Sequence, residues 1–463
     1  MTDRAPPRPR PVLVALSLLA LAALALPGRV LAHAGGVRGA GAGDLAVPTW
    51  LFLATGGGVI GASFLLASFV TDRAYVRRLD AWGDLLGDSG RTATLAGRLL
   101  GLAGLAFVLV AGAFGPDVGN RNAAVLLVWV AWWGAYVATA YLLGNTWPAV
   151  NPFRTVALAL PSLDREYPDS WGRWPAVVGL LALVFLEVVT PLADDPRLLT
   201  LVVVGYGLLS LAGSVAFGAD DWFGNADPVS RLLAAYGRVA PIHRTGRGLR
   251  LRLPGMGLTD AGWLRARSDV AFVVAVLFVT TFDGFVGTAA WAEVARTLFL
   301  AGLHPLLVYA VGMVVGYALF LAAYAVAVRA ARRYGETFVS ATALGRRFAP
   351  SLLAIAAGYH LAHNLGSVLA LAPTLAVVLA APLSPPPSPP QLLVPGWIGG
   401  VGIAAVLGGH LLAVWVAHAT AYDLFPDRLQ AIRSQYGVTA AMVVYTMVSL
   451  WILTRPGGAP PLV

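Results

Sequence analysis

Histidines stand in the middle of two of the longest apolar runs in the chain. His360 and His363 fall within SLLAIAAGYHLAHNLGSVLALAPTLAVVLA (351–380). His410 falls within WIGGVGIAAVLGGHLLAVWVAHATAY (397–422), with His418 nearer its end. Two acids are placed alike, Glu187 in a run beginning at Trp174 and Asp283 in Thr280-Thr281-Phe282-Asp283-Gly284. An ionisable group at bilayer depth costs a few kcal/mol unless something pairs with it, so these five positions are where chemistry is to be sought.

His360 and His363 are three residues apart and share one helix face. An antiparallel neighbour would bring His410 to matching depth. Three imidazoles with the Asp283 carboxylate suit a divalent zinc, copper or iron ion. Such an ion would lower the pKa of a bound water, and Glu187 is the candidate general base. His418 lies two helical turns beyond His410, about 12 Å along the axis, outside that set. Other uses of the same groups stay open. They are a hydrogen-bonding network between helices, a haem on His363 and His410, and a proton or ion path through Glu187, Asp283 and the histidines.

The elements that must carry these residues are legible in composition. Of 463 residues, 58% are hydrophobic and only 12% charged, where soluble domains carry about 25% charge. The chain reads as an all-α, polytopic transmembrane helix bundle. Every basic residue is arginine and the net charge is +9. The arginines sit in short loops between spans, so the charge does not indicate nucleic-acid binding. Cysteine is absent, which excludes disulfides, thiolate metal sites and cysteine nucleophiles.

Residues 1–32 read as a signal peptide: Arg4, Arg8 and Arg10, an apolar core from Val12 to Leu26, and small residues before a cut after Ala32. An uncleaved helix is the alternative. Cleavage there would leave His33 as a terminal residue whose amine and ring could bind copper. Roughly ten spans follow, near 50–70, 95–114, 122–144, 174–192, 198–217, 269–290, 304–328, 351–380, 396–420 and 438–453.

The stretch 145–154, broken by Pro148 and Pro152, reads as interfacial or re-entrant. An Arg-rich insert occupies 219–268, with an amphipathic run from Ser230 to Val239 and a basic hairpin from Arg244 to Arg252. The Asn151-Pro152 and Asp227-Pro228 stretches hint at a duplicated unit. Ser384–Pro390 reads as a solvated Pro-rich linker within an outer loop at 381–395, and 455–463 as a short tail.

If the mature N-terminus is outside, Arg38, Arg121, Arg197, Arg296 and Arg455 lie outside and the other 23 arginines after residue 33 lie inside. That asymmetry fits the positive-inside rule and a plasma-membrane location. The partners implied are the lipid bilayer and a small lipophilic substrate or metal ion.

Several stretches carry a resemblance to a known family. They are His33 to Gly36 with Asp44 to Phe52, Asn151-Pro152-Phe153-Arg154-Thr155, Tyr359-His360-Leu361-Ala362-His363, and His410 to His418 leading into Phe425-Pro426-Asp427-Arg428. The Ser434-Gln435-Tyr436 and Met442 to Leu453 segments add to it. The chain resembles bacterial membrane proteins of the fenitrothion hydrolase-like family, in scattered pieces across most of its length. The resemblance implies hydrolysis of an organophosphate-like ester. Ala419-Thr420-Ala421 departs from the pattern, which leads one to expect an acid just after His418.

Overall fold

The computed structural model describes residues 48–87, 90–246, 248–260, 262–455 and 460–461. The expected signal peptide and His33 lie outside the described residues. In chain order the elements are α1 (Thr49–Ser68), α2 (Arg73–Ala81), β1 (Leu85–Gly87), α3 (Gly90–Phe114) and α4 (Ala123–Leu142). Then come α5 (Trp147–Val150), α6 (Pro152–Ala157), α7 (Trp174–Val189), α8 (Pro196–Phe217), α9 (Pro228–Tyr236), β2 (Ile242–Thr245) and β3 (Gly248–Leu251). The rest is helical: α10 (Arg267–Val286), α11 (Ala289–Leu300), α12 (Pro305–Tyr334), α13 (Ala341–Phe348), α14 (Ser351–Ala380), α15 (Trp397–Leu424), α16 (Arg428–Arg433) and α17 (Tyr436–Leu453).

This is a multi-pass membrane protein. Among the described residues nine helical segments are long and apolar enough to cross a bilayer. The tenth expected span, α7, has only 16 residues, about 24 Å of helix against a hydrocarbon core of about 30 Å. It stops short of Leu192 because Pro191 forces Thr190 into extended backbone (φ −130°, ψ 159°).

The arginine-rich end of the bundle is closed by the 219–268 insert. Asp227 caps α9 through Ser230 N (2.7 Å) and Asn151 caps α6 through Arg154 N (3.1 Å). The two caps meet where Asn151 Nδ2 donates to Ser230 Oγ (3.2 Å). The Asn-Pro and Asp-Pro stretches are thus a pair of helix starts packed on each other. The face of α9 that carries Leu232, Leu233 and Tyr236 is buried in the core.

The basic hairpin forms as β2 and β3, and β1 adds a third strand. Two arginines of this stretch, Arg250 and Arg252, are tied into the protein. Arg252 makes a two-pronged pair with Asp260 and Arg250 donates to Ala81 O (2.7 Å). Asp269 joins the starts of two helices at this end. It accepts from the backbone N–H groups of Arg265 and Ala266 (both 2.8 Å) and from Arg173 Nε (3.0 Å).

The central pair is α14 and α15. Their backbones touch at Gly358 and Gly409, where a Cβ on either would stand 3.2 Å from the other's Cα. Small residues at such crossings allow the close approach that holds membrane helices together. α10 is packed on both sides and buries Ala271 to Val279 without a break. α14 continues through Pro373, and its C-terminal half is covered by the Pro-rich segment. There Thr374 Oγ1 donates to Pro390 O (2.6 Å), and Leu392 N donates to Ala370 O (2.9 Å). The linker expected to be solvated is therefore strapped to the helix whose ladder the proline interrupts.

Candidate active site

α7, α10 and α14 meet α4 around a cavity of about 20 Å³, enough for one water-sized molecule. Glu187 and Val184 line it from α7, Thr280 and Asp283 from α10, Tyr359, His360, His363 and Asn364 from α14, and Trp133 from α4. Four residues singled out from sequence, Glu187, Asp283, His360 and His363, are thus brought together. The spacing of α14 explains half of this, since residues 359, 360, 363 and 364 fall on adjacent rows of one helix.

His363 Nε2 lies 3.1 Å from Asp283 Oδ2, with both side chains half-buried. The Tyr359 ring stacks on His363 at 6.0 Å between centroids and 13° between planes. Tyr359 reaches past Asp283 to Gly284, where a Cβ would stand 2.2 Å from its hydroxyl. Glycine at 284 is what lets the tyrosine in. His360 is fully enclosed. Its Nδ1 faces the Tyr141 hydroxyl (3.0 Å), Trp133 meets its ring edge-on at 5.2 Å, and Asn364 Nδ2 donates to its carbonyl (2.9 Å).

His410 does not join them. Gly409 rests on Ala354 and Gly358, and Gly402 on Ala362. In that register His410 is level with Ile355, about 8 Å along the axis from His360 and about 12 Å from His363. Its Nδ1 turns back to Val406 O on its own helix (2.9 Å). The expected matching depth fails because contacts between small residues set the axial offset of the two helices. His418 is also separate, with Nε2 on Val70 O (2.9 Å) and its ring against Tyr422.

His363 Nε2 is turned to Asp283, His360 Nδ1 to Tyr141, and His410 lies elsewhere. Among the described residues no three His, Asp or Glu side chains are grouped so as to hold a metal ion. The four expected ligands as arranged do not fit one ion, and the chemistry below runs through none.

Neither a protein-family model, nor a curated protein, nor a solved structure matches the chain.

What the side chains can do follows from their placement. An imidazole whose Nε2–H is held by a carboxylate keeps Nδ1 for accepting a proton, the logic of a base oriented by a neighbouring acid. A second carboxyl group, Glu187, borders the same cavity. Sequence reading alone passes over Tyr141, Trp133, Tyr359 and Asn364. Tyr359 and Asn364 flank the two histidines in Tyr-His-Leu-Ala-His-Asn, a signal that was available. Tyr141 and Trp133 belong to the aromatic crowd of α4, and nothing in their spacing marks them. Trp133 lies within a π-helical stretch from Leu127 to Tyr136 and Tyr141 follows it, a distortion found often at functional sites.

Proposed function

We propose that the protein is a membrane-embedded hydrolase of neutral, lipophilic esters, with His363 as the base that activates water and Asp283 as the residue that orients it. The observation that carries this reading is the 3.1 Å His363–Asp283 pair on a cavity shared with Glu187, deep among apolar helices. Ionisable groups at that depth are costly and mark functional positions. The resemblance of Tyr359 to His363 and of the other stretches to the fenitrothion hydrolase-like family supports the same substrate class. In this reading the mature N-terminus is outside, and the arginine-rich end faces the cytoplasm across the plasma membrane.

Water attacks the electrophilic phosphorus or carbonyl carbon of the ester as His363 Nδ1 takes its proton. The bond from that centre to the leaving oxygen breaks, and the proton passes to the departing oxygen. The products are an acid and an alcohol or phenol. In this reading Glu187, which lines the same cavity, accepts a hydrogen bond from the attacking water.

Purified protein in vesicles is the test, with release of nitrophenol from a dialkyl nitrophenyl phosphorothioate as readout. Turnover that His363→Gln lowers by about 10²–10⁴-fold supports the reading. No turnover by the intact protein refutes it. Metal analysis of the same sample separates a metal-assisted form: stoichiometric zinc, copper or iron, lost with His363→Gln, would replace the metal-free step. Metal-dependent uptake into the vesicles without hydrolysis would replace it with transport.

A further inference from the structure

A second, larger cavity of about 430 Å³ adjoins the acid–histidine pocket. α3, α4, α7 and α8 enclose it, and α5, α6 and α9 floor it. Trp133, Val184 and Glu187 line both cavities, so the two meet at those three side chains. One wall is aromatic, from Trp129 and Trp132 to Trp147, and the facing wall is aliphatic, from Leu105 and Val108 to Val203.

Polar groups are few. Glu187 supplies the lining's one carboxyl group. The Tyr136 and Tyr206 hydroxyls are engaged by Thr146 and Asp227. The indole nitrogens of Trp129, Trp132 and Trp147 are buried and find no acceptor among the described residues.

The cavity also reaches the outside of the bundle at bilayer depth. α3 and α8 touch near one end, where a Cβ on Gly112 would stand 2.0 Å from Thr200 Oγ1. Near the other end the short helices bridge them, Val150 against Gly101 and Phe153 against Gly207. Between those contacts a Cβ on Gly104 would meet nothing within 4 Å, and Leu100, next to the Gly101 contact, is 68% exposed. Both residues line the cavity.

We propose that this chamber takes the single aliphatic chain of a neutral membrane amphiphile, admitted sideways from the bilayer between α3 and α8 past Gly104. The chain's polar end is led to Glu187 and, beyond Trp133, to the Asp283–His363 pair. The volume lies at the lower end of the usual range for ligand pockets, about 300–1,000 Å³, which favours one chain over two. An apolar lining that opens into hydrocarbon selects a ligand already dissolved there. Two carboxyl groups near the polar end oppose an anionic headgroup in a low-dielectric setting. An ester oxygen in the chamber would offer the indole N–H groups an acceptor. What happens at the polar end rests on the hydrolase reading; the chamber itself does not.

The test uses the full chain in phosphatidylcholine vesicles and a monoacylglycerol carrying a mid-chain diazirine. After illumination, peptide mapping should place label on chamber residues such as Leu105, Trp132 and Val203. Gly104→Phe should reduce that labelling about tenfold, equivalent to 1.4 kcal/mol of lost binding. Label on Leu319, a lipid-facing residue of α12, should not change. Should Gly104→Phe fail to purify as a single species, Gly104→Leu fills the same space, and the same loss is expected. Chamber labelling no stronger than that of Leu319, or unchanged by the filling variant, overturns the proposal. Labelling without any ester hydrolysis would remove the catalytic reading and leave the chamber, and hydrolysis without labelling would do the reverse.

Discussion

Gly284→Ala perturbs the proposed site without removing any of its functional groups. The new methyl would lie 2.2 Å from the Tyr359 hydroxyl and 2.8 Å from Ile452 Cγ2. Ordinary contact between heavy atoms is about 3.5 Å, so the tyrosine must retreat by roughly 1 Å. Its ring stacks on His363, and that displacement passes to the imidazole that Asp283 holds. Overpacking of this kind costs about 1–3 kcal/mol of stability. A misplacement of about 1 Å at a reacting group costs about 10²-fold in rate. The assay is nitrophenol release in vesicles alongside the thermal midpoint in detergent. The expected result is a rate loss far larger than the modest loss of stability implies. Tyr359→Phe removes the clashing atom. That hydroxyl is buried without a hydrogen-bond partner among the described residues, so its loss alone costs little, and the double variant should recover most of the rate. Full activity in Gly284→Ala, or no recovery in the double variant, would refute the link from Gly284 through Tyr359 to His363.

Other consequences are equally direct. His410→Leu should leave hydrolysis within about threefold of the intact protein, well under the 10²–10⁴-fold cost of losing a general base; a loss as large as that of His363→Gln would mean the two rings share a centre. Asp269→Ala should lower stability by about 3 kcal/mol, because it strips Arg173 and two backbone N–H groups of a buried acceptor, and chemical unfolding in detergent measures it. Burial and then the nearby Arg252 hold the His243 imidazole below its ordinary value of about 6.5. The unfolded chain therefore binds a proton first, and this contribution to stability is present above about pH 6.5 and is lost as pH falls below it. Thermal midpoints between pH 7.5 and 5 should decline on the acid side, and His243→Gln should flatten that decline.

Much of the fold is written in the hydropathy of the chain. Ser351–Ala380 is one helix over the span read from sequence, and the breaks at Pro148 and Pro152 became two short helices. Apolar length and proline chemistry are local properties, so they survive without tertiary information. Glu187, Asp283, His360 and His363 were legible for a related reason, since each is costly where it stands and finds company there. His410 shows where such reasoning stops. Its distance from His363 depends on Gly358 sliding against Gly409, an axial offset that no hydropathy pattern records. The lipophilic chamber was equally hidden. It needs the π-helical turn of α4 to aim its tryptophans, and the short helices α5 and α6 to hold α3 and α8 together at one end.

In the proposed reaction a carboxylate-held imidazole activates water within the bundle. The most direct measurement is kcat/KM for a neutral nitrophenyl phosphorothioate with Asp283→Asn and intact protein, both dialysed against chelator. Intact protein should keep its activity after dialysis, while Asp283→Asn should fall by about 10²-fold or more and remain folded. Equal rates for the two proteins would contradict it.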